Sequence, residues 1–259
     1  MIYFKYAKMY LRSQAQYRLS MWMLMVGQFL VTLSSFIAMY LLFARFENIA
    51  GWTFGEAALC YGVVAMSFAL AECFARGFDR FQNMVRSGSF DRVMLRPRST
   101  VLQVLGSDLD ITRLGRVVQS AVVLRIAIAR LGLAWTAAKI ATLVSMIFSG
   151  VFIMSGLFIL GATVCFWTVE GLEFINIFTD GGREIAAYPL PIYPRWIMRF
   201  FTFIIPFGSL NYLPLMYITG RATGSGAAYM LSPLIGIAFI VPCLLFWRLG
   251  VRRYLSAGN

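Results

Sequence analysis

Apolar runs of roughly twenty residues alternate with short polar breaks along nearly the whole chain, the length one helix needs to cross the ~30 Å core of a bilayer. The first expected span is Met21 to Phe43, followed by a hinge from Arg45 to Trp52. The second is Phe54 to Ala75. Arg116 to Leu133 is the weakest, because it contains Arg125. Ala137 to Trp167 is too long for a straight crossing, so it is tilted or extends past the bilayer. Residues 168–195 are polar and read as a loop. Trp196 to Ile218 is a fifth span broken by Pro206 and Pro214, and after a small-residue loop at 219–226 the sixth runs from Leu231 to Leu249. No ten-residue segment alternates polar with apolar, so a barrel is not expected and helices remain the reading. The expected fold is an all-α membrane protein of six transmembrane helices in a single domain over 1–259.

Two stretches break this pattern with amphipathic character. In residues 1–20, Ile2, Tyr3, Tyr6, Met9 and Tyr10 can share one face with Lys5, Lys8 and Arg12 at its edge, which predicts an interfacial helix rather than a cleavable signal. The longer one is Arg76 to Pro97, extending to residue 100. It carries Arg76, Arg80, Arg86, Arg92 and Arg96, with Arg98 just beyond, against Asp79 and Asp91. Phe78, Phe81 and Val85 recur at helical spacing, as do Phe90, Val93 and Met94. Gly88 can end one short helix, Ser89 can cap the next, and Pro97 stops it. Such a segment docks on another protein or lies on lipid headgroups, or it is a charged loop that only fixes topology.

Composition agrees with the spans. The 259 residues are 60% hydrophobic and 13% charged, well below the ~25% of soluble domains. The net charge of +12 comes from residues spread between apolar runs, so no nucleic-acid partner is expected. With the N-terminus inside, the inner segments hold eighteen Lys and Arg, and the outer ones hold four: Arg45, Arg130, Lys139 and Arg221. This predicts both termini in the cytoplasm. All six tryptophans fall near span ends. Cys60, Cys73, Cys165 and Cys243 each sit in an apolar run and read as buried thiols. No histidine is present and no GxxxxGK[ST] loop occurs, so His chemistry and nucleotide hydrolysis by this chain are not expected. No metal site and no cofactor of its own is expected.

Charges inside the spans are few. Glu72 and Arg125 can form an ion pair between spans two and three, or each can snorkel to an interface. Pro206, Asn211 and Pro214 mark a broken helix that lines or gates a path, or a passive kink. Ser145, Ser149, Gly156 and Gly161 suggest close helix packing. A secondary carrier or channel, and a membrane-embedded enzyme, remain open at this point; the enzyme would need clustered acids that the chain lacks.

The order of elements, with GWTFGE at 51–56, MLRP at 94–97, CFWTVE at 165–170, NIFTDGG at 176–182, YPLPIY at 188–193 and IIPFGSLNYLP at 204–214, resembles the permease subunit of a type 2 ABC exporter, closest to a bacterial subfamily of about this length. The resemblance extends over nearly the whole chain, and Arg125 departs from it. It implies a coupling helix in the 76–97 loop, with Phe78, Arg80, Phe81, Phe90, Arg92 and Arg96 docking on an ABC ATPase that carries ATP and Mg. It also implies pairing with a second permease subunit and residence among the lipids of a bacterial inner membrane. The substrate expected is a drug, peptide or lipid carried outward.

Overall fold

A computed structural model describes residues 15–168, 176–223 and 225–254, together with Met9 and Ser13. Of the interfacial helix expected over 1–20, residues 1–8, 10–12 and 14 lie outside these residues, while Ala15–Tyr17 form a 3-10 turn and residues 18–20 already belong to the first long helix. Helix α1 is Arg18–Arg45 and helix α2 is Phe54–Asp79. The start of α2 is fixed by its cap, where the Thr53 backbone N–H and hydroxyl both donate to Glu56 Oε2, at 2.9 and 3.0 Å. At 26 residues α2 is about 39 Å long, more than the ~30 Å hydrocarbon core, so its end projects.

Helix α2 is the central element, flanked by α1 and by two helices further along the chain. Its small residues let the neighbours approach. A Cβ added to Gly62 would stand 2.8 Å from the Leu124 side chain, and one on Gly77 would stand 1.8 Å from the Val104 carbonyl oxygen.

Two short helices follow, α3 at Phe81–Arg86 and α4 at Ser89–Met94. Gly88 joins them at φ +63°, a left-handed conformation that favours glycine. Both short helices match the sequence expectation. Ser89, however, is the first helical residue rather than the cap, and Phe78 belongs to the end of α2. Helix α5, Thr100–Leu105, packs back on α2, and helix α6, Leu114–Leu131, ends at Gly132, also left-handed. Helix α7, Ala137–Val164, starts at a Thr136 cap. It resolves the overlong fourth run into 28 helical residues.

Helix α6 runs antiparallel along α2 from Gly55 to Glu72. Leu131 faces Gly55, Leu124 faces Gly62, and Arg116 pairs with Glu72.

The expected loop at 168–195 and single span at 196–218 take a different form. Residues Ile177–Gly181 make a π-helical turn that runs into α8, Gly182–Ala186. This segment packs on α2 instead of leaving the bundle, with the Arg183 guanidinium 4.8 Å over the Phe68 ring. Helix α9, Arg195–Phe203, is then bent by 86° from a second π-helical turn, Gly208–Tyr212, which continues into α10, Leu213–Ile218. The last run is also broken, into α11 (Gly226–Leu231), α12 (Pro233–Ala238) and α13 (Ile240–Arg252), with Pro233 opening the middle piece.

Among the described residues, four stretches are long and apolar enough to cross a membrane: Arg18–Arg45, Phe54–Arg86, Ala137–Val164 and Gly226–Arg252. The bent pair Arg195–Phe203 and Gly208–Ile218 makes a fifth if it counts as one span. Helix α6 is not among them. The close packing expected of the fourth run is present: a Cβ on Gly236 would stand 2.0 Å from Ser149 Oγ, and Gly156 abuts Cys243 and Phe239. All four cysteines are buried and free.

Candidate functional site

Two clusters stand out at the end of α2 that carries most of the arginines. The first is an aromatic box. Phe81 of α3 lies 4.9 Å from Phe90 of α4, 5.2 Å from Phe166 just beyond α7, and 5.0 Å from Trp247 of α13, ring centre to ring centre. Phe78, at the end of α2, meets Trp247 edge-on at 5.2 Å, and Tyr254 closes the box against Phe90 at 5.1 Å. Trp247 is further fixed by its indole N–H, which donates to Thr100 Oγ1 at 3.1 Å. Phe78, Phe81 and Phe90 have no solvent exposure.

This corrects the sequence reading of those three residues. Their rings cannot fill a groove on a partner, because they already fill the space between the short helices and the last helix. Arg80 is also committed, pairing with Asp108 at 2.7 Å. What the box leaves outside is Arg86, Arg92, Met94, Leu95 and Arg96, with Leu95 84% exposed. Beside them runs a groove of about 300 Å³ lined by Met84, Arg92, Val93, Arg96 and Gln103, among others.

The second cluster is ionic. Glu72, with only 4% of its side chain exposed, receives three arginines. Oε1 accepts from Arg76 at 2.8 Å and pairs with Arg113 at 3.3 Å, while Oε2 accepts from Arg116 at 2.7 Å. Two further acids balance the charge: Asp79 pairs with Arg76 at 2.9 Å and Asp110 with Arg113 at 3.2 Å. Gln28 of α1 accepts from Arg113 and Arg116 at 3.1 and 2.6 Å, tying α1 to the cluster. Asp110 lies before α6, outside the spans. Burial pushes its carboxyl up, but the Thr112 hydroxyl and Arg113 outweigh this and hold it below the usual carboxylate range.

The expected Glu72–Arg125 pair is therefore not formed. Arg125 is exposed and stands nine residues beyond Arg116, about 13 Å further along α6 and on its opposite face. The third group of expected residues is in the core. Pro206 sits at the bend, its carbonyl accepting from the Ser209 hydroxyl at 2.6 Å. Asn211 donates to the Ala186 carbonyl and so links the second π-helical turn to α8. Pro214 is buried in the first turn of α10.

At the opposite end of α2 a smaller ionic group appears. Arg221 pairs with Glu56 at 3.0 Å, donates to the Gly51 carbonyl and covers the Trp52 ring at 5.1 Å. Its signal in the sequence was weak, a lone arginine in a small-residue loop.

A family model described as ABC-2 family transporter protein matches residues 29–258. The chain belongs to that family. No curated protein and no solved structure matches it. As an ABC-2 family protein the chain is a multi-pass membrane component of an ABC transporter, and the family implies association with ABC ATPase subunits. In an ABC-2 protein the exposed basic face of α3 and α4 and the buried charge cluster on α2 become the features to explain.

Proposed function

We propose that the chain is the transmembrane subunit of an ATP-driven exporter, paired with a second permease subunit, whose ATPase partners dock on the exposed face of α3 and α4. ATP and Mg are held by those partners. The observation that carries this reading is the aromatic box, which anchors the two-helix loop to α2, α7 and α13 and leaves Arg92, Met94, Leu95 and Arg96 facing out. Exposed arginines around an apolar side chain suit an interface, where aromatic and Arg anchors dominate. The substrate expected for a cleft beside lipid is hydrophobic or amphipathic. The bend at Pro206, together with Asn211 and Pro214, is the candidate gate.

Six spans are supported by α6. It lies antiparallel to α2 from Gly55 to Glu72, and its 18 residues reach about 27 Å, so where that part of α2 lies in the bilayer α6 lies there with it. Its polar face is covered by α1 and α2, which explains how a helix of lower hydropathy can sit there. With six spans, the excess of Lys and Arg supports cytoplasmic termini, and the family resemblance supports residence in a bacterial inner membrane.

The test is capture of the ABC ATPase by the tagged chain. The double variant Arg92→Glu, Leu95→Asp should lower the ATPase captured by at least about tenfold while leaving the chain's thermal unfolding unchanged. Capture at the wild-type level would move the docking site away from α3 and α4.

A further inference from the structure

Two adjoining cavities open against the ionic cluster. The larger, about 300 Å³, has Glu72, Arg76, Asp79, Arg113, Arg116 and Asp180 in its wall. The smaller, about 60 Å³, adds Arg183 and Glu184, and it is bounded by Val31, Thr32 and Ser35 of α1. Phe68 and Arg116 belong to both, so the two form one cleft. Its position matters: α1 is exposed over most of its length, so the narrow end of the cleft borders the face turned to lipid.

The charges in this cleft are sorted by depth. The four arginines show 12–25% of their side chains, whereas Asp180 and Glu184 show 62% and 58%. The buried acids are fully engaged, Glu72 by three guanidinium groups and Asp79 by Arg76. Some arginine donors are not. Arg76 Nε is buried without a hydrogen-bond partner, and Arg116 Nη2 has no protein partner among the described residues. An anionic oxygen placed between Arg116 and Arg183 gives Arg116 Nη2 a charge-assisted partner. Arg183 pairs at the rim with these same two acids, with Glu184 at 2.7 Å and with Asp180 at 3.7 Å, so a plain anion taking Arg183 strands the acids and a plain cation taking the acids strands Arg183. One molecule carrying both charges satisfies both layers.

We propose that this cleft binds the headgroup of a zwitterionic phospholipid, its phosphodiester on Arg116 and Arg183, its ammonium on Asp180 and Glu184, and its acyl chains leaving along α1. The binding rests on the chain being a membrane protein. That the lipid is also the cargo rests in addition on the exporter reading above.

The experiment uses the full chain in detergent, titrated calorimetrically with dihexanoyl-phosphatidylethanolamine, dihexanoyl-phosphatidylglycerol, glycerophosphoethanolamine and inorganic phosphate. The ethanolamine lipid should bind at least about tenfold tighter than the glycerol lipid, and the two soluble probes more weakly than either. Arg183→Gln should weaken the ethanolamine lipid by about tenfold, and Arg183→Lys by less. Asp180→Asn with Glu184→Gln should abolish the preference over the glycerol lipid while keeping lipid binding. Arg125→Gln, exposed on the far face of α6, should leave lipid binding unchanged. If Arg183→Gln proves unstable, the Asp180, Glu184 variant, whose side chains are largely exposed, decides alone. The proposal is overturned if the two lipids bind equally, if inorganic phosphate binds as tightly as the lipid, or if the acid variant keeps the wild-type preference. Loss of this lipid preference with ATPase capture intact rejects the cleft alone. Loss of capture with lipid binding intact rejects only the docking face.

Discussion

Replacing Phe81 by Ala tests whether the loop's aromatic residues hold the chain together or hold a partner. The ring is fully buried and has three aromatic neighbours, Phe90, Phe166 and Trp247, at 4.9 to 5.2 Å. Truncating a core Phe costs about 3–5 kcal/mol. Each edge-on pair adds about 0.5–1.5 kcal/mol beyond burial, which places this site toward the upper end. For a chain of this size 1 kcal/mol is about 2–4 °C, so the unfolding midpoint should fall by about 10 °C or more. Leu95→Ala, at 84% exposure, should move it by no more than the scatter of a surface change, under about 0.5 kcal/mol. Thermal unfolding followed by tryptophan fluorescence in detergent reads both variants, and Trp247 reports on the box itself. A docking role for the ring predicts the reverse: unchanged unfolding and lost ATPase capture. If Phe81→Ala unfolds within a degree or two of wild type, the box is not a structural anchor and the argument for the exposed face fails with it.

Glu72→Gln should destabilise the chain by about 3–5 kcal/mol, because it leaves three half-buried arginines without their shared acid. Adding Arg116→Gln should cost much less than the sum, whereas adding Arg125→Gln should be additive; thermal unfolding of the four variants separates the two cases. Asp110→Asn probes acid stability. Because the folded pKa of Asp110 is held below its ordinary value, its contribution is present above about pH 4, the unfolded value, and is lost as pH falls through the folded one. The variant should therefore unfold at lower temperature than wild type at pH 6, with the gap closing in strong acid. A constant gap at all pH values would show that Asp110 acts through packing alone.

The spans were legible because hydropathy reports burial in lipid without needing a partner. Phe54 to the arginine-rich end of α2 and the 137–164 helix came out close to their bounds, and the pair of short helices with glycine between them followed from spacing alone. What spacing cannot supply is the occupant of an apolar face. Phe81 and Phe90 point inward at Trp247, a residue more than a hundred and fifty positions away, and the same periodicity would serve an external groove equally well. The choice of Arg125 over Arg116 had a different cause. Counting charges within a run ignores helical phase. Gly115, Gln119, Ser120, Val123 and Ala127 form the buried face of α6, and Arg116 borders it while Arg125, nine residues on, points away. That phase was available in the sequence. The 176–186 segment was not: its charges look solvated, and only the structure shows Arg183 neutralised by Glu184 and stacked on Phe68.

The same accounting of partners predicts which part of the molecule moves. Helix α2 is pinned at both ends by ions, through Glu56 to Arg221 and through Glu72 to three arginines. Shifting it means separating charges of low exposure, which is expensive. The 177–218 region is held differently. Its two π-helical turns, Ile177–Gly181 and Gly208–Tyr212, depart from the i→i−4 ladder, and a side-chain hydrogen bond from Asn211 to Ala186 joins the segments. A turn of this kind returns to a regular helix by shifting one residue of register, which re-aims everything after it, including α10. Backbone amides of 177–181 and 208–212 should therefore exchange with deuterium at least about tenfold faster than those of 60–72 in α2, as local opening there breaks no ion pair of the Glu72 cluster. Asn211→Ala should speed exchange in 208–212 and in α8 together, because it removes the bond between them. Protection in 208–212 equal to that of α2, or a change confined to 208–212 in Asn211→Ala, would show that the bend is a fixed kink and that any gate lies elsewhere.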